Sequence, residues 1–282
     1  MKFGISTFVW VSPFRTEAFG VLEKVASFGF DVIEIAFEDP NLIDVKQLKD
    51  TVKRIGLEVA TCGVFGANRD LTSDDPDIRE NAKRYIRTCL DYASELESPI
   101  FCGPAYSAVG KTHLSEEEQK KKEWKLAVEG LQELGEYARR RGVTIALEQL
   151  NRFETSFINT AADLVRLIRE VGCPAVKGHL DTFHMNIEEK HLGEAIRTVG
   201  KDLAHFHACE NDRGTPGSGH IEWKEVKEAL QDIGYDGYVV IESFSTEVKE
   251  IARAACIWRP LEKDVDTLAI KGLAFLKNLL EK

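Results

Sequence analysis

Short apolar segments alternate with longer amphipathic segments along the whole chain. Some are continuously apolar, as at Val239, Val240 and Ile241, which is typical of parallel strands buried on both faces. Strands are predicted at residues 3–8, 32–37, 57–62, 99–102, 144–148, 176–180, 203–207 and 238–242. The amphipathic segments predict helices at residues 17–28, 45–55, 76–96, 115–141, 160–171, 192–199, 223–233, 247–258 and 264–280.

Individual residues support several of these helix ends. Pro76 suits the first position of its helix, and Gly142 follows a run of arginines that favours the negative end of the helix dipole. Ser115 and Glu118 have the spacing of a capping box.

Eight strand–helix units follow one another without a break in composition, so one domain over residues 1–282 is predicted. The predicted fold is an α/β (β/α)₈ TIM barrel, because right-handed crossovers favour parallel pairing and eight such units can close. An open doubly wound sheet is the alternative, although it usually holds fewer strands. No glycine-rich dinucleotide or phosphate loop follows a predicted strand, which counts further against it.

Composition narrows the possible partners and location. The formal net charge of −10 argues against nucleic acid as a partner. No apolar run approaches the roughly 18 residues of a membrane span, so no membrane partner is expected. The chain passes from Met1 directly into a strand pattern, which predicts a cytoplasmic protein without a secretory leader. The six scattered cysteines are expected to be reduced and buried.

Candidate metal-binding residues lie where the later strands end. The carboxyl ends of TIM-barrel strands face one mouth, and four consecutive predicted strands end in a possible metal ligand: Glu148, Asp181, His207 and Glu242. Each of these residues could instead be a cap or a solvated rim residue. A carboxylate that follows a buried apolar strand needs a cation or hydrogen-bond donors to offset its desolvation. Three carboxylates and one imidazole suit Mn²⁺, Mg²⁺ or Co²⁺ better than a structural zinc ion.

The residues around these strand ends resemble the ketose 3-epimerases, that is, the D-tagatose and D-allulose (D-psicose) 3-epimerases of the xylose-isomerase-like barrel superfamily. The most specific parts are residues 148–154 (EQLNRFE) and 181–186 (DTFHMN), while residues 207–214 (HACENDRG) and the strand ending in Glu242 agree as well. The similarity extends over essentially the whole chain.

The resemblance implies a metal-dependent isomerase that interconverts free ketoses at carbon 3. The pairs would be D-allulose and D-fructose, D-tagatose and D-sorbose, or L-ribulose and L-xylulose. Glu148, Asp181, His207 and Glu242 would hold one divalent ion, with Mn²⁺ first and Co²⁺ or Mg²⁺ as alternatives. Glu148 and Glu242 would also be the catalytic acid/base pair, and Glu154, His184 and Arg213 would bind the substrate. A homodimer or homotetramer is expected.

The chemistry suits these residue types. Epimerisation removes a proton next to a carbonyl group and returns a proton on the opposite face, through an ene-diolate that a divalent ion stabilises. Two carboxylates on opposite faces of carbon 3 allow one to take the proton while the other delivers one. A single glutamate that moves a proton along one face would instead favour isomerisation.

Other residues have two interpretations each. Phe8 and Trp10 follow the first strand and are predicted to form an apolar wall against the sugar, or alternatively a packing or subunit contact. Glu154 could instead pair with Arg152 on the rim, and Arg213 could be a solvated charge in its glycine-rich loop.

Three further features complete the expectations. His205 is expected on the opposite side of its strand from His207 with a structural role, and His179 is expected in the core. His220 is expected to brace the mouth of the barrel, with a direct role as the alternative. The loop after the fourth strand carries Tyr106, where several family members carry tryptophan, which leaves hexose or pentose preference open.

An aldose–ketose or hydroxypyruvate-type isomerase on the same barrel is the main alternative function. A keto-inositol dehydratase and a sugar-binding barrel without turnover also remain open. A DNA-repair endonuclease is disfavoured by the acidic charge and by a total of seven histidines.

Overall fold

The protein is a closed barrel of parallel strands surrounded by helices, and the computed structural model describes residues 1–281. In these residues eight strands pair in chain order, and the last returns to the first. The strands are β1 Lys2–Ser6, β2 Val32–Phe37, β3 Glu58–Gly63, β4 Ile100–Gly103, β5 Thr144–Glu148, β6 Val176–Asp181, β7 Leu203–His207 and β8 Tyr238–Ile241. The predicted TIM barrel is confirmed, and the closure excludes the open sheet.

Helices connect consecutive strands and cover the outside of the barrel. Over the same described residues they are α1 Gly20–Ser27, α2 Val45–Ile55, α3 Pro76–Glu95, α4 Glu117–Arg141, α5 Ala161–Val171, α6 Thr182–Glu188, α7 Leu192–Val199, α8 Trp223–Asp232, α9 Lys249–Ala254 and α10 Val265–Leu280. None of these helices is both long and apolar enough to cross a membrane.

Two local predictions fail at helix starts. The capping box at Ser115 and Glu118 is wrong, because α4 begins at Glu117 and its N-cap residue Glu116 makes no side-chain capping hydrogen bond. The first helix begins later than predicted, because a 3₁₀ turn at Thr16–Ala18 precedes α1. By contrast, Asp75 caps the nitrogen of Asp77 in α3 as a regular N-cap should.

The strand register brings the candidate residues to the same level. Asp181 on β6 pairs with His207 on β7, and Glu148 on β5 pairs with His179 on β6. The carboxyl ends of these parallel strands therefore form one rim. All six cysteines are free, and five are buried, while Cys256 is exposed.

Candidate active site

The four predicted metal ligands converge at the carboxyl rim of the barrel. Nδ1 of His207 lies 4.0 Å from Oε1 of Glu148, 3.8 Å from Oδ2 of Asp181 and 3.7 Å from Oε2 of Glu242. One ligand atom from each of the four residues lies within 4.8 Å of every other. Residues far apart in the chain thus surround one small space.

The negative charges of the carboxylates at this rim repel one another, and one guanidinium group lies among them. Burial and the charges of Glu242 and Asp181 raise the pKa of Glu148 well above its usual range, although His207 acts in the other direction. Burial alone would raise the pKa of Asp181, but the guanidinium of Arg213 holds it well below its usual range. One guanidinium therefore compensates only part of the negative charge of three carboxylates.

His207 is oriented so that one nitrogen faces the three carboxylates. Its Nε2 lies 3.1 Å from Oε2 of Glu34, while its Nδ1 has no hydrogen-bond partner among the described residues. Burial would lower the pKa of His207, but the charges of Glu34 and Glu242 hold it well above its usual range. The ring is thus held by a carboxylate on one side and exposed to carboxylates on the other.

This donor set fits a divalent cation. The distances of 3.7 to 4.0 Å from Nδ1 of His207 to the carboxylate oxygens are too long for hydrogen bonds. They suit an ion between the groups, because metal–oxygen and metal–nitrogen distances are about 2.0–2.2 Å. An ion would also offset the repulsion between the carboxylates and would use the unpartnered imidazole nitrogen as a ligand.

A cavity of about 330 Å³ opens at this rim, and both glutamates of the set line it. Glu148 is 6% exposed and Glu242 is 7% exposed, whereas Asp181 and His207 are both fully buried beneath them. The two glutamates are therefore the members of the set that a ligand in the cavity can touch.

The charged groups of the cavity wall come from one half of the barrel. They belong to Glu148 at the end of β5 and to residues that follow β5, β6, β7 and β8, namely Glu154, His184, Arg213 and Glu242. Apolar residues come from both halves: Phe8, Val64, Phe65, Pro104 and Val109 follow β1, β3 and β4, whereas Leu150, Phe183, Phe244 and Ile251 follow β5, β6 and β8.

Arg213 spans the ligand set from above. Its Nη1 donates to Oδ2 of Asp181 and, at 2.8 Å, to Oε2 of Glu242. Its guanidinium stacks 4.2 Å from the ring centroid of Phe183. The backbone of Arg213 has a φ of 66°, and Ser243 donates to its carbonyl oxygen at 2.6 Å. The predicted alternative of a solvated loop charge is excluded, because the residue is 5% exposed.

His184 is a neutral donor that faces the cavity. Burial and the charge of Arg213 lower its pKa to about 3. The backbone N–H of Asn151 donates to its Nδ1 at 3.1 Å, which leaves the ring proton on Nε2. Nε2 lies 3.1 Å from Nη2 of Arg213. Because both atoms carry protons in this tautomer, they present two donors to an oxygen in the cavity.

Glu154 is directed to the cavity rather than to Arg152. Arg152 instead forms a bidentate pair with Glu188, through Nε at 2.9 Å and Nη2 at 3.0 Å. The amide of Asn151 donates to Oε1 of Glu154 at 2.8 Å, and burial raises the pKa of this carboxyl group. The alternative of a rim pair between Glu154 and Arg152 is therefore wrong.

The two aromatic residues after β1 separate in the structure. Phe8 lines the cavity, and its ring lies 5.6 Å from that of Phe244. Trp10 lies outside the cavity lining given by the described residues and donates from Nε1 to Asp266 on α10 at 2.7 Å. The structure thus brings Phe8, but not Trp10, to the predicted sugar wall.

Tyr106 supports the site from below and does not line the cavity. It is fully buried, and its hydroxyl donates to the carbonyl oxygen of Glu148 at 2.7 Å. Its ring stacks on Phe157 with 5.6 Å between centroids. Pro104 and Val109 are the residues of this loop that line the cavity.

Sequence reasoning missed Glu34 and misplaced His205. Residues two apart on a strand share a face, and both His205 and His207 direct Nε2 at the same oxygen of Glu34. The prediction that His205 points to the opposite side is therefore wrong. A single glutamate within the apolar segment Val32–Phe37 was the available signal, because a buried carboxylate needs partners. His179 is fully buried, as expected, and His220 is exposed outside the cavity.

Comparison with known proteins gives a consistent result. The model of the xylose isomerase-like TIM barrel family matches residues 22–279. A D-psicose 3-epimerase from Ruminiclostridium cellulolyticum is 37% identical and aligns over 100% of this chain and 98% of its own. An L-ribulose 3-epimerase from Methylomonas is 33% identical over 99% and 97% of the two chains. The crystal structure of D-psicose 3-epimerase with D-tagatose from Clostridium cellulolyticum H10 has a TM-score of 0.91 and 37% identity and covers 99% of each chain.

The hydrogen bond from Tyr106 to Glu148 can be tested by replacing Tyr106 with phenylalanine. We expect Tyr106→Phe to lower the free energy of unfolding by about 1–3 kcal/mol, because a buried carbonyl group loses its donor. We also expect weaker binding of Mn²⁺, because the carboxylate of Glu148 is attached to the backbone that moves. Denaturant unfolding and calorimetric titration with Mn²⁺ measure the two effects.

Tyr235→Phe is the matched control for this test. The hydroxyl of Tyr235 donates to the carbonyl oxygen of Tyr238 at 2.6 Å, at the start of β8 and away from the rim. This variant should lose stability and keep its affinity for Mn²⁺. Equal Mn²⁺ affinity in the two variants would contradict a local role for Tyr106.

Proposed function

The chain belongs to the ketose 3-epimerases of the xylose isomerase-like TIM barrel family, and we propose that it epimerises free ketoses at carbon 3 with one divalent metal ion. Glu148, Asp181, His207 and Glu242 would hold the ion, and Mn²⁺ is the expected ion, with Co²⁺ or Mg²⁺ as alternatives. Its relatives are named as sugar epimerases, so the chain is an isomerase.

One observation carries this proposal: the ligand set divides into two buried members and two members that face the cavity. Asp181 and His207 are fully buried, whereas Glu148 and Glu242 line the cavity. A 3-epimerase needs two acid/base groups in contact with the sugar. An enzyme that moves a proton along one face needs one such group, so the pair favours epimerisation over aldose–ketose isomerisation.

The proposed mechanism gives separate roles to the ion, to the two cavity glutamates and to Tyr106. A bound divalent ion would supply Lewis-acid polarisation of the substrate oxygens and would offset the charge of the carboxylates. One of Glu148 and Glu242 would take the proton from carbon 3, and the other would deliver a proton to the opposite face. Tyr106 holds the backbone of Glu148 in place during this exchange.

Donors around the cavity would orient the carbonyl end of the sugar. Nε2 of His184 and Nη2 of Arg213 lie 3.1 Å apart, so one substrate oxygen can accept from both. Asn151 fixes the proton-bearing nitrogen of His184 and also orients Glu154, whose carboxyl group can bind a sugar hydroxyl. Proton transfer and sugar binding therefore depend on different residues.

The cavity suits a free sugar rather than a phosphorylated one. Among the described residues that line it, Arg213 is the only lysine or arginine, and its guanidinium is engaged by Asp181 and Glu242. A phosphate group would find little positive charge there. Phe8 and the other apolar residues would pack against the carbon face of the sugar. The pairs D-allulose and D-fructose, D-tagatose and D-sorbose, and L-ribulose and L-xylulose are the proposed substrates.

A screen of ketoses with and without a chelator tests the reaction and its dependence on metal. We expect D-fructose to yield D-allulose, D-tagatose to yield D-sorbose, or L-ribulose to yield L-xylulose, as measured by chromatography of the products. Treatment with EDTA should abolish turnover, because the three carboxylates then lack their cation, and added Mn²⁺ should restore it.

Circular dichroism of the EDTA-treated protein serves as the control, since an unfolded protein would also lose activity. Full turnover by the folded, metal-free protein would contradict the metal site. Formation of an aldose without any 3-epimer would favour the aldose–ketose isomerase instead.

Replacement of either cavity glutamate tests the acid/base pair. Glu148→Gln and Glu242→Gln should each lower the rate of epimerisation by about 10²–10⁴-fold, because one face of carbon 3 loses its proton-transfer group. In D₂O each variant should still exchange the carbon 3 hydrogen of one epimer, and the two variants should differ in which epimer they label. Mass spectrometry of the recovered sugars measures this exchange.

Both glutamates are also proposed ligands, so the Mn²⁺ content of each variant must be measured at the concentration used in the assay. A metal-loaded variant that keeps full epimerisation would show that the acid/base assignment is wrong. Identical labelling by the two variants would contradict the assignment of one glutamate to each face.

A further inference from the structure

A buried cluster beneath the rim contains three residues that have no part in the reaction described so far, together with His207. It consists of Glu34 on β2, Cys102 on β4, and His205 and His207 on β7, and it is called the Glu34 cluster below. All four residues are fully buried. His207 belongs both to this cluster and to the proposed ligand set, so the cluster and the rim share one imidazole ring.

We propose that Glu34 is a positioning residue that fixes the orientation and tautomer of His207 for the divalent ion. This inference rests on the metal site of the proposed function. Glu34 does not line the cavity, and its side-chain hydrogen bonds among the described residues go to Cys102, His205 and His207 rather than to the carboxylates of the rim. It would act through His207.

The hydrogen bonds of the Glu34 cluster meet on one oxygen atom. Oε2 of Glu34 accepts from Nε2 of His205 at 2.7 Å, from Nε2 of His207 at 3.1 Å and from the thiol of Cys102 at 3.4 Å. A carboxylate has no proton to donate, so the ring proton of His207 must lie on Nε2 for this bond to form. The lone pair of a neutral His207 ring is then on Nδ1.

This tautomer matters because it leaves the lone pair on Nδ1, the nitrogen that faces the carboxylates of the rim. Nδ1 of His207 is the atom that lies 3.7 to 4.0 Å from the oxygens of Glu242 and Glu148, and it has no hydrogen-bond partner among residues 1–281. The other tautomer would place a proton there and leave Glu34 without the bond. A carboxylate that binds the outer nitrogen of a metal-ligating histidine typically changes metal affinity by 10–100-fold.

The Glu34 cluster could in principle hold a second ion, since its ligand atoms also lie within 4.8 Å of one another. The geometry favours hydrogen bonding instead. At 2.7 Å, Nε2 of His205 and Oε2 of Glu34 are at an ordinary hydrogen-bond distance. A second ion would also require both Nε2 atoms and the thiol of Cys102 to lose their protons.

Glu34→Gln tests the proposal, because an amide keeps the size of the side chain and removes the negative charge that binds Nε2 of His207. Calorimetric titration of the EDTA-treated full chain with Mn²⁺ should show affinity lowered by about 10–100-fold. Turnover should recover largely at saturating Mn²⁺, since Glu148 and Glu242 are unchanged. Unaltered Mn²⁺ affinity would overturn the proposal.

Two control variants separate positioning from general damage to the interior. His205→Gln disturbs the Glu34 cluster but leaves the bond between Glu34 and His207. The Mn²⁺ affinity of this variant should stay within about threefold of that of the unmodified protein, because His207 keeps its carboxylate partner. Glu123→Gln replaces another buried carboxylate, which pairs with Lys111 at 3.1 Å outside the barrel interior. It should bind Mn²⁺ normally. An equal loss in all three variants would overturn the specific role of Glu34.

A measurement on the unmodified protein decides the question even where Glu34→Gln does not fold. Long-range ¹⁵N–¹H correlation of ¹⁵N-histidine-labelled protein with Mg²⁺, which is diamagnetic, reports the tautomer of each ring. We expect the proton of His207 on Nε2, and a proton on Nδ1 would overturn the proposal.

The stoichiometry of the same titration distinguishes the remaining outcomes. One Mn²⁺ per chain agrees with the proposal, whereas two ions, the second lost in His205→Gln, would overturn it in favour of a second site. A folded, unmodified protein that binds no divalent ion would overturn the proposed function together with this inference. Normal binding by the unmodified protein and by Glu34→Gln overturns this inference only.

Discussion

Mutual repulsion of buried carboxylates is the constraint on which this site depends. Glu148, Asp181 and Glu242 all approach Nδ1 of His207, and all three are at least nine-tenths buried. Water cannot solvate these charges well, so the protein must supply compensation. Arg213 supplies one positive charge through direct bonds to Asp181 and Glu242. The loop after β7 brings that guanidinium inside, and Ser243 after β8 holds its backbone by a hydrogen bond to the carbonyl oxygen of Arg213.

The chain itself predicts the rim of this site well. A closed parallel barrel directs every strand end to one mouth, so residues at the ends of β5 to β8 become neighbours without any knowledge of packing. Glu148, Asp181, His207 and Glu242 were found by that rule, and the structure brings them together. Phe8 also lies where the end of β1 suggested, against the cavity.

What could not be predicted depends on which way side chains turn and which partners compete for them. Arg152 was a plausible partner for Glu154, but Glu188 on α6 takes it in a bidentate pair. Trp10 follows the same strand as Phe8, but a 3₁₀ turn directs it to Asp266 instead. Glu34 lies in the middle of a strand, where the strand-end rule does not look, and its partners come from across the barrel.

The unequal division of the cavity wall has a consequence for how such an enzyme can diversify. The proposed acid/base and ligand residues lie on the half of the barrel from β5 to β8, while Val64, Pro104 and Val109 extend from the other half. Val64, Pro104 and Val109 can be exchanged without replacing a proposed ligand, as long as Tyr106 in the loop after β4 keeps its bond to the backbone of Glu148. Laboratory evolution towards a new sugar can therefore randomise these three wall positions while it holds Tyr106 and the residues from β5 to β8 constant.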